Sequence, residues 1–199
     1  ADHVHNGPLH ANLASALLHL GRHGEAIYHY RQAQLFRPRD SEVRGHLAKA
    51  RSAAGLEGEV PRPAASRVLF FYDQLSPGEL WTITAILNVL LWSLLTVRLF
   101  RRGEIATWAA VVVGCGLLLF ATTAGLRTVE LATRPTAIVL SGTAVARSAQ
   151  DRAASEMFRL PEGSEVRISA RHAGWAAVAD RQGRRGWVEA RGLGLIEYA

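Results

Sequence analysis

From Leu80 to Val97 the chain runs eighteen residues without a charge, and from Ile105 to Leu126 it runs twenty-two. As helices rising 1.5 Å per residue these stretches reach about 27 and 33 Å, enough to cross the hydrocarbon core of a bilayer with a little help from their flanks. The core helix of a soluble protein can imitate one such run. Two in succession, separated only by the charged segment Arg98–Glu104, read as a transmembrane hairpin. With 49% hydrophobic residues in 199, the chain has room for this hairpin and further domains, and a disordered tail protein is excluded.

The first span, 80–97, has a start signal in Ser76-Pro77-Gly78-Glu79: Ser76 caps, Pro77 fits the first helical position, and Glu79 completes a capping box. Trp81 then falls at interface depth. The loop 98–104 carries three arginines against one acid, and short arginine-rich loops stay cytoplasmic, so both termini are expected on the periplasmic side. Arg127 and Arg134 after the second span, 105–126, weigh against this orientation. A periplasmic N-terminus needs a signal peptide, and none stands at Ala1, so a processed or truncated chain is expected. Within the hairpin, Asn88 and Ser93 on one span and Gly114, Gly116 and Gly125 on the other are the polar and small residues through which membrane helices associate. Gly116→Leu is expected to weaken assembly without preventing insertion, with co-purification as the check. Residues 57–79 read as a linker, Gly55 to Pro63 by composition, followed by a short interfacial helix whose Val68, Leu69, Tyr72 and Leu75 share a face. Residues 127–136 read as a second linker.

Twenty-two of the 23 basic residues are arginine, which gives a pI near 10.4. Divided along the chain, the +6 net charge becomes +1 over residues 1–79, +2 in the loop 98–104 and +3 over 127–199. No short basic run interleaved with aromatics appears, so nucleic acid is not an expected partner. The single cysteine, Cys115, lies within an apolar run and builds neither a disulfide framework nor a cysteine zinc site.

Residues 1–56 form a helical domain. Leu13, Ala14, Leu17, Leu18 and Leu20 mark one helix, Gly21-Arg22-His23-Gly24 a turn, and Ala26, Ile27, Tyr30, Ala33 and Leu35 a second helix closed by Pro38. Asp40 and Ser41 begin a third through Val43, Leu47 and Ala50. The spacing of Leu13, Ala14, Leu17, Gly21, Ala26, Tyr30, Ala33 and Pro38 resembles the tetratricopeptide repeat, with His10 where that family often has Trp. The resemblance implies a groove that holds a partner's segment, with Leu13, Leu17 and Tyr30 as candidate contacts. One repeat is short for a solenoid, so further N-terminal sequence or a covering partner is expected. Seven of the eight histidines lie in residues 1–46. His19 and His23 stand at i, i+4, but there is neither a zinc-protease Glu nor a third ligand, and His19, His23 and His29 fall where the repeat exposes its side chains, so all three read as solvated surface and no metal is expected.

Residues 137–199 change texture to short β-branched runs: Ala137–Leu140, Thr143–Arg147, Glu165–Ser169, Trp175–Ala179 and Gly186–Glu189. Five or more such strands in about sixty residues make a small β-barrel. Ala144-Val145-Ala146-Arg147, Phe158 to Gly163, Val166, Gly174 to Val178 and Gly183 to Val188 resemble the bacterial SH3 domain. Trp175 and Trp187 fit either the core of so small a barrel or, by that resemblance, a partner-binding groove.

The order of repeat, membrane hairpin and SH3-like domain is similar to the BatE family, the repeat-and-SH3 proteins of the Bat aerotolerance operon. That resemblance implies an inner-membrane protein working with membrane-anchored von Willebrand A-domain proteins and, through them, a MoxR-type AAA+ ATPase, in oxygen or stress tolerance and envelope maintenance. A non-catalytic scaffold is the expectation; an envelope sensor whose SH3-like domain binds peptidoglycan is the alternative, supported by fold analogy. Neither a glycine-rich phosphate loop nor a GxSxG elbow is present, so no enzyme and no cofactor are expected.

Overall fold

The computed structural model describes residues 6–56, 74–100, 104–133 and 135–196. His3, His5, the interfacial helix expected before Gln74 and most of the first linker lie outside the described residues, as do 101–103 of the loop.

The first helical unit follows its sequence signals. Helix α1 (Gly7–His19) is capped by Asn6, whose Oδ1 accepts from the Leu9 amide at 2.7 Å, and α3 (Ser41–Ala53) by Asp40, which accepts from Glu42 and Val43. Between them α2 (His23–Phe36) starts straight after a turn in which Gly21 takes φ +73°. His19 therefore ends one helix and His23 begins the next, so their i, i+4 spacing is not a helical one. Ala14, Ala26 and Ala33 are fully buried, which lets α1 and α2 close on Ile27 and Tyr30, while Val43, Leu47 and Ala50 bring α3 onto the same core.

Across the α1–α2 seam the Nδ1 atoms of His10 and His29 approach to 2.9 Å, with the rings stacked and His10 also lying on Phe36. Only one of the two can donate, so at least one of the imidazoles must be neutral. His29 is half-buried, which corrects its reading as solvated surface, because its ring packs against His10 across the seam. Burial, with His10 as neighbour, lowers the His29 pKa to about 4 from 6.5. A depressed histidine pKa means that the unfolded chain binds more protons between these values, so stability is lost as pH falls from about 6.5 to about 4. Thermal melts of the full chain across this window are expected to fall more steeply than those of His29→Gln.

Two long helices follow, α4 (Pro77–Phe100) and α5 (Glu104–Thr133). The capping box forms reciprocally: the Ser76 amide donates to Glu79 Oε2 at 2.8 Å, and the Glu79 amide to Ser76 Oγ at 3.2 Å. Helix α5 runs on through Arg127 and Glu130, part of the expected linker, because nothing breaks it before Arg134-Pro135. Both helices are long and apolar enough to cross a membrane, and only 6% of each apolar window is buried inside the protein, so neither is a core helix of the soluble part.

The C-terminal unit is a seven-stranded antiparallel sheet: β1 (Thr136–Val139), β2 (Ala144–Arg147), β3 (Glu156–Leu160), β4 (Glu165–His172), β5 (Trp175–Ala179), β6 (Arg185–Glu189) and β7 (Leu193–Ile196), in the order β3-β2-β6-β5-β4-β1-β7. The expected closed barrel is corrected: among the described residues β3 and β7 are unpaired edges, and the sheet stays open. Its core is Ala137, Val139, Ala146, Phe158, Leu160, Val166, Ile168, Ala176, Val178 and Val188.

The helical unit and the sheet form one body. Ile138 of β1 belongs to the helical core with Ile27 and Tyr30. Helix α2, which has no side-chain cap of its own, receives one from the β3–β4 turn, where Glu162 Oε1 accepts the Gly24 amide at 2.6 Å. Gly194 of β7 lies under Tyr28; a Cβ there would stand 2.8 Å from its ring. At the centre Glu165, its side chain 8% exposed, meets Arg31 at 2.9 Å, Arg51 at 3.1 Å and Arg181 at 3.5 Å, so one carboxylate ties α2, α3 and the β5–β6 turn to β4. The Arg51 side chain is just as buried, at 7%. Arg39, beyond α2, pairs with Glu79 at the start of α4.

Candidate functional site

Strand alternation decides what Trp175 and Trp187 can do. In β5 the buried residues are Ala176 and Val178, so Trp175, Ala177 and Ala179 point to the other face. Ala177 pairs with Trp187, Trp187 with Arg147, and Trp175 with Glu189, which puts all of these on that same outer face. The two tryptophans are diagonal neighbours on adjacent strands, both half-buried, and neither belongs to the sheet core. The tip Ala173-Gly174, with φ +47° and +84°, turns β4 tightly into β5 and sets Trp175 at the first position of that strand.

Charges frame the pair. Arg152 grips Glu189 with two hydrogen bonds, at 2.8 and 3.1 Å, and these hold the Glu189 carboxyl below the usual carboxylate range. Arg147 donates to the Ala154 carbonyl at 2.8 Å and lies 3.9 Å from Glu156, which Arg159 also meets. On the opposite, core-side face Arg184, held by Asp180, covers the Phe158 ring at 4.6 Å and takes no part in framing the pair. Two aromatic bodies beside guanidinium and carboxylate groups can stack on an extended segment and hydrogen-bond its polar edge.

The helical candidates divide differently. Leu17 and Tyr30 are 5% and 1% exposed and are packed into the core that α1–α3 share with Ile138, so they have no surface for a partner; Leu13, at 43%, does. This corrects their reading as contacts, and its cause is that a repeat's interior and its groove share one helical period. In the hairpin, a Cβ at Gly114 or Gly116 would stand 4.0 Å from Leu91 or 3.9 Å from Leu87, ordinary contact that tolerates alanine. Asn88 is exposed and does not face α5. The residues that fuse the two soluble units, Arg31, Arg51, Glu162 and Glu165, carry no local signal: Pro161-Glu162-Gly163 reads as a turn and Glu165 as the exposed start of a strand.

No curated protein matches this chain. Residues 141–193 match the family model of the bacterial SH3 domain, which spans β2 to the first residue of β7 and leaves out β1, the strand that enters the helical core. The sheet, with its outward tryptophan pair, is thus similar to bacterial SH3 domains, a likeness that points to binding of protein or peptidoglycan.

Proposed function

We propose that this chain is a non-catalytic, membrane-anchored adaptor: the α4–α5 hairpin holds it in the bacterial inner membrane, and the outer face of the SH3-like sheet binds a segment of a partner protein. The observation that carries this reading is the placement of Trp175 and Trp187 together on the face of the sheet away from its core, each partly exposed. Buried aromatics stabilise; aromatics kept partly open outside the core are available for recognition. The exposure of both apolar helices supports the membrane anchor, since some other medium must cover them. The contacts between the helical unit and the sheet support a topology with both on one side of the membrane, which an even number of spans allows. With the arginine-rich loop cytoplasmic, that side is the periplasm.

The arrangement of tetratricopeptide-like helices, hairpin and SH3-like sheet supports membership of a Bat-type assembly, with von Willebrand A-domain membrane proteins as direct partners and a MoxR-type AAA+ ATPase behind them. The alternative is an envelope sensor whose tryptophan face binds peptidoglycan, favoured by the match to bacterial SH3 domains. Full-length protein purified in mild detergent is expected to retain von Willebrand A-domain proteins, and the Trp175→Ala/Trp187→Ala pair, although about 2–4 kcal/mol less stable, to melt as a folded protein and yet lose at least about tenfold of them. Sedimentation with peptidoglycan sacculi, abolished by the same pair, would select the sensor. Undiminished capture of both would remove the tryptophan face from the function.

A further inference from the structure

Asn88 stands at the middle of α4, eleven residues after Pro77 and twelve before Phe100. Each hydroxyl of this helix is returned to its own backbone: Thr82 donates to the Gly78 carbonyl, Thr84 to Leu80, Ser93 to Val89 and Thr96 to Trp92, all at 2.8–2.9 Å. Asn88 is the exception. Its side chain is exposed, and among the described residues no hydrogen bond reaches it. Helix α5 does not supply one, because the side of α4 toward α5 is lined by Leu87 and Leu91 against Gly116 and Gly114. If α4 spans a bilayer, as proposed above, this amide lies near the midplane, where water cannot satisfy it and an unpaired polar group is costly.

A carboxamide carries donor and acceptor on one group and is therefore its own complement. Two copies related by a two-fold axis pair the carbonyl of each amide with an N–H of the other in one contact, and Ala85, three residues earlier on the same face, is small enough to let the helices approach. Trp92, 64% exposed and four residues later, extends that face. We infer that the face of α4 bearing Ala85, Asn88 and Trp92 is the contact surface of a symmetric dimer of this chain, locked by hydrogen bonds between the two Asn88 side chains. The inference rests on the membrane-spanning reading of α4.

Cys115 is the single cysteine, so Cys115→Ser gives a cysteine-free full-length background. In that background Ala85→Cys reports on the Asn88 face, and Ile86→Cys, exposed but about 160° round the helix from Asn88, reports on another lipid-side surface. On oxidation in native membranes, Ala85→Cys is expected to give at least about five times more disulfide-linked homodimer than Ile86→Cys. Adding Asn88→Leu is expected to cut that yield about tenfold, and Asn88→Gln to keep most of it. Equal cross-linking at the two positions, indifference to Asn88→Leu, or an Ala85→Cys adduct with a different protein would each overturn the dimer. Alkaline carbonate extraction of the same membranes separates the two readings: protein that stays in the pellet without cross-linking overturns only the dimer, whereas protein released to the supernatant overturns the spanning reading itself.

Discussion

Glu165→Gln is expected to destabilise the soluble body by about 3–5 kcal/mol, because it removes the one negative charge to which Arg31, Arg51 and Arg181 converge. Arg51 suffers most, being as buried as its partner. That loss is comparable to the whole stability of many domains, so thermal melting of the full chain should fall steeply and protease should reach the seam between α2 and β4. The same site sets an acid limit. Burial pushes the Glu165 carboxyl up, but the guanidiniums of Arg31, Arg181 and Arg51 outweigh it and hold the group below its ordinary 4.5. A depressed carboxylate contributes stability that is fully present above 4.5 and is lost as pH falls through the folded value. Glu165→Gln should lose this acid limb and keep the one from His29, which lies at higher pH. An unchanged melt for Glu165→Gln would mean that the Glu165 ion pairs contribute nothing to holding the two units together, leaving that to the apolar contacts and the Glu162–Gly24 hydrogen bond.

Gly24→Ala is expected to cost about 3 kcal/mol, although alanine is the better helix former by about 1 kcal/mol. The added methyl would stand 2.5 Å from the carbonyl oxygens of both Val139 and Leu140, which are backbone and cannot rotate away. Gly45→Ala is the matched control: it lies inside α3 with nothing within 4 Å, and should gain about 0.5–1 kcal/mol. If the two substitutions shift the melting temperature alike, the close approach of α2 to β1 does not exist in solution.

Much of the architecture is legible along the chain, because it is written in local periods. The helices around Leu17, Tyr30 and Leu47, the capping box at Ser76 and Glu79, and the alternating strand Trp175–Ala179 are all decided by neighbours within a few residues. What escapes is decided by distant ones. Gly24 reads as a turn residue because nothing near it says that β1 will press on it. Ile138 reads only as part of the short strand 137–140, yet it fills the helical core. Strand β7 is hidden by Gly194, a poor strand former that is needed there because Tyr28 passes over it. The tryptophans are legible as residue types, but the choice between core and surface waits on their register against Glu189 and Ala177.

The seam between the units also dictates when the molecule can fold. Gly24 and Glu162 are separated by 138 positions, Arg31 and Glu165 by 134, and the whole hairpin is threaded between them. During synthesis the helical unit must wait, with Ile27 uncovered and Arg31 and Arg51 lacking Glu165, until both long apolar helices have been disposed of and β1 to β4 have emerged. Such remote pairings make for slow folding with a long-lived, association-prone intermediate, so a chain interrupted anywhere in α4 or α5 leaves a half-built body exposed.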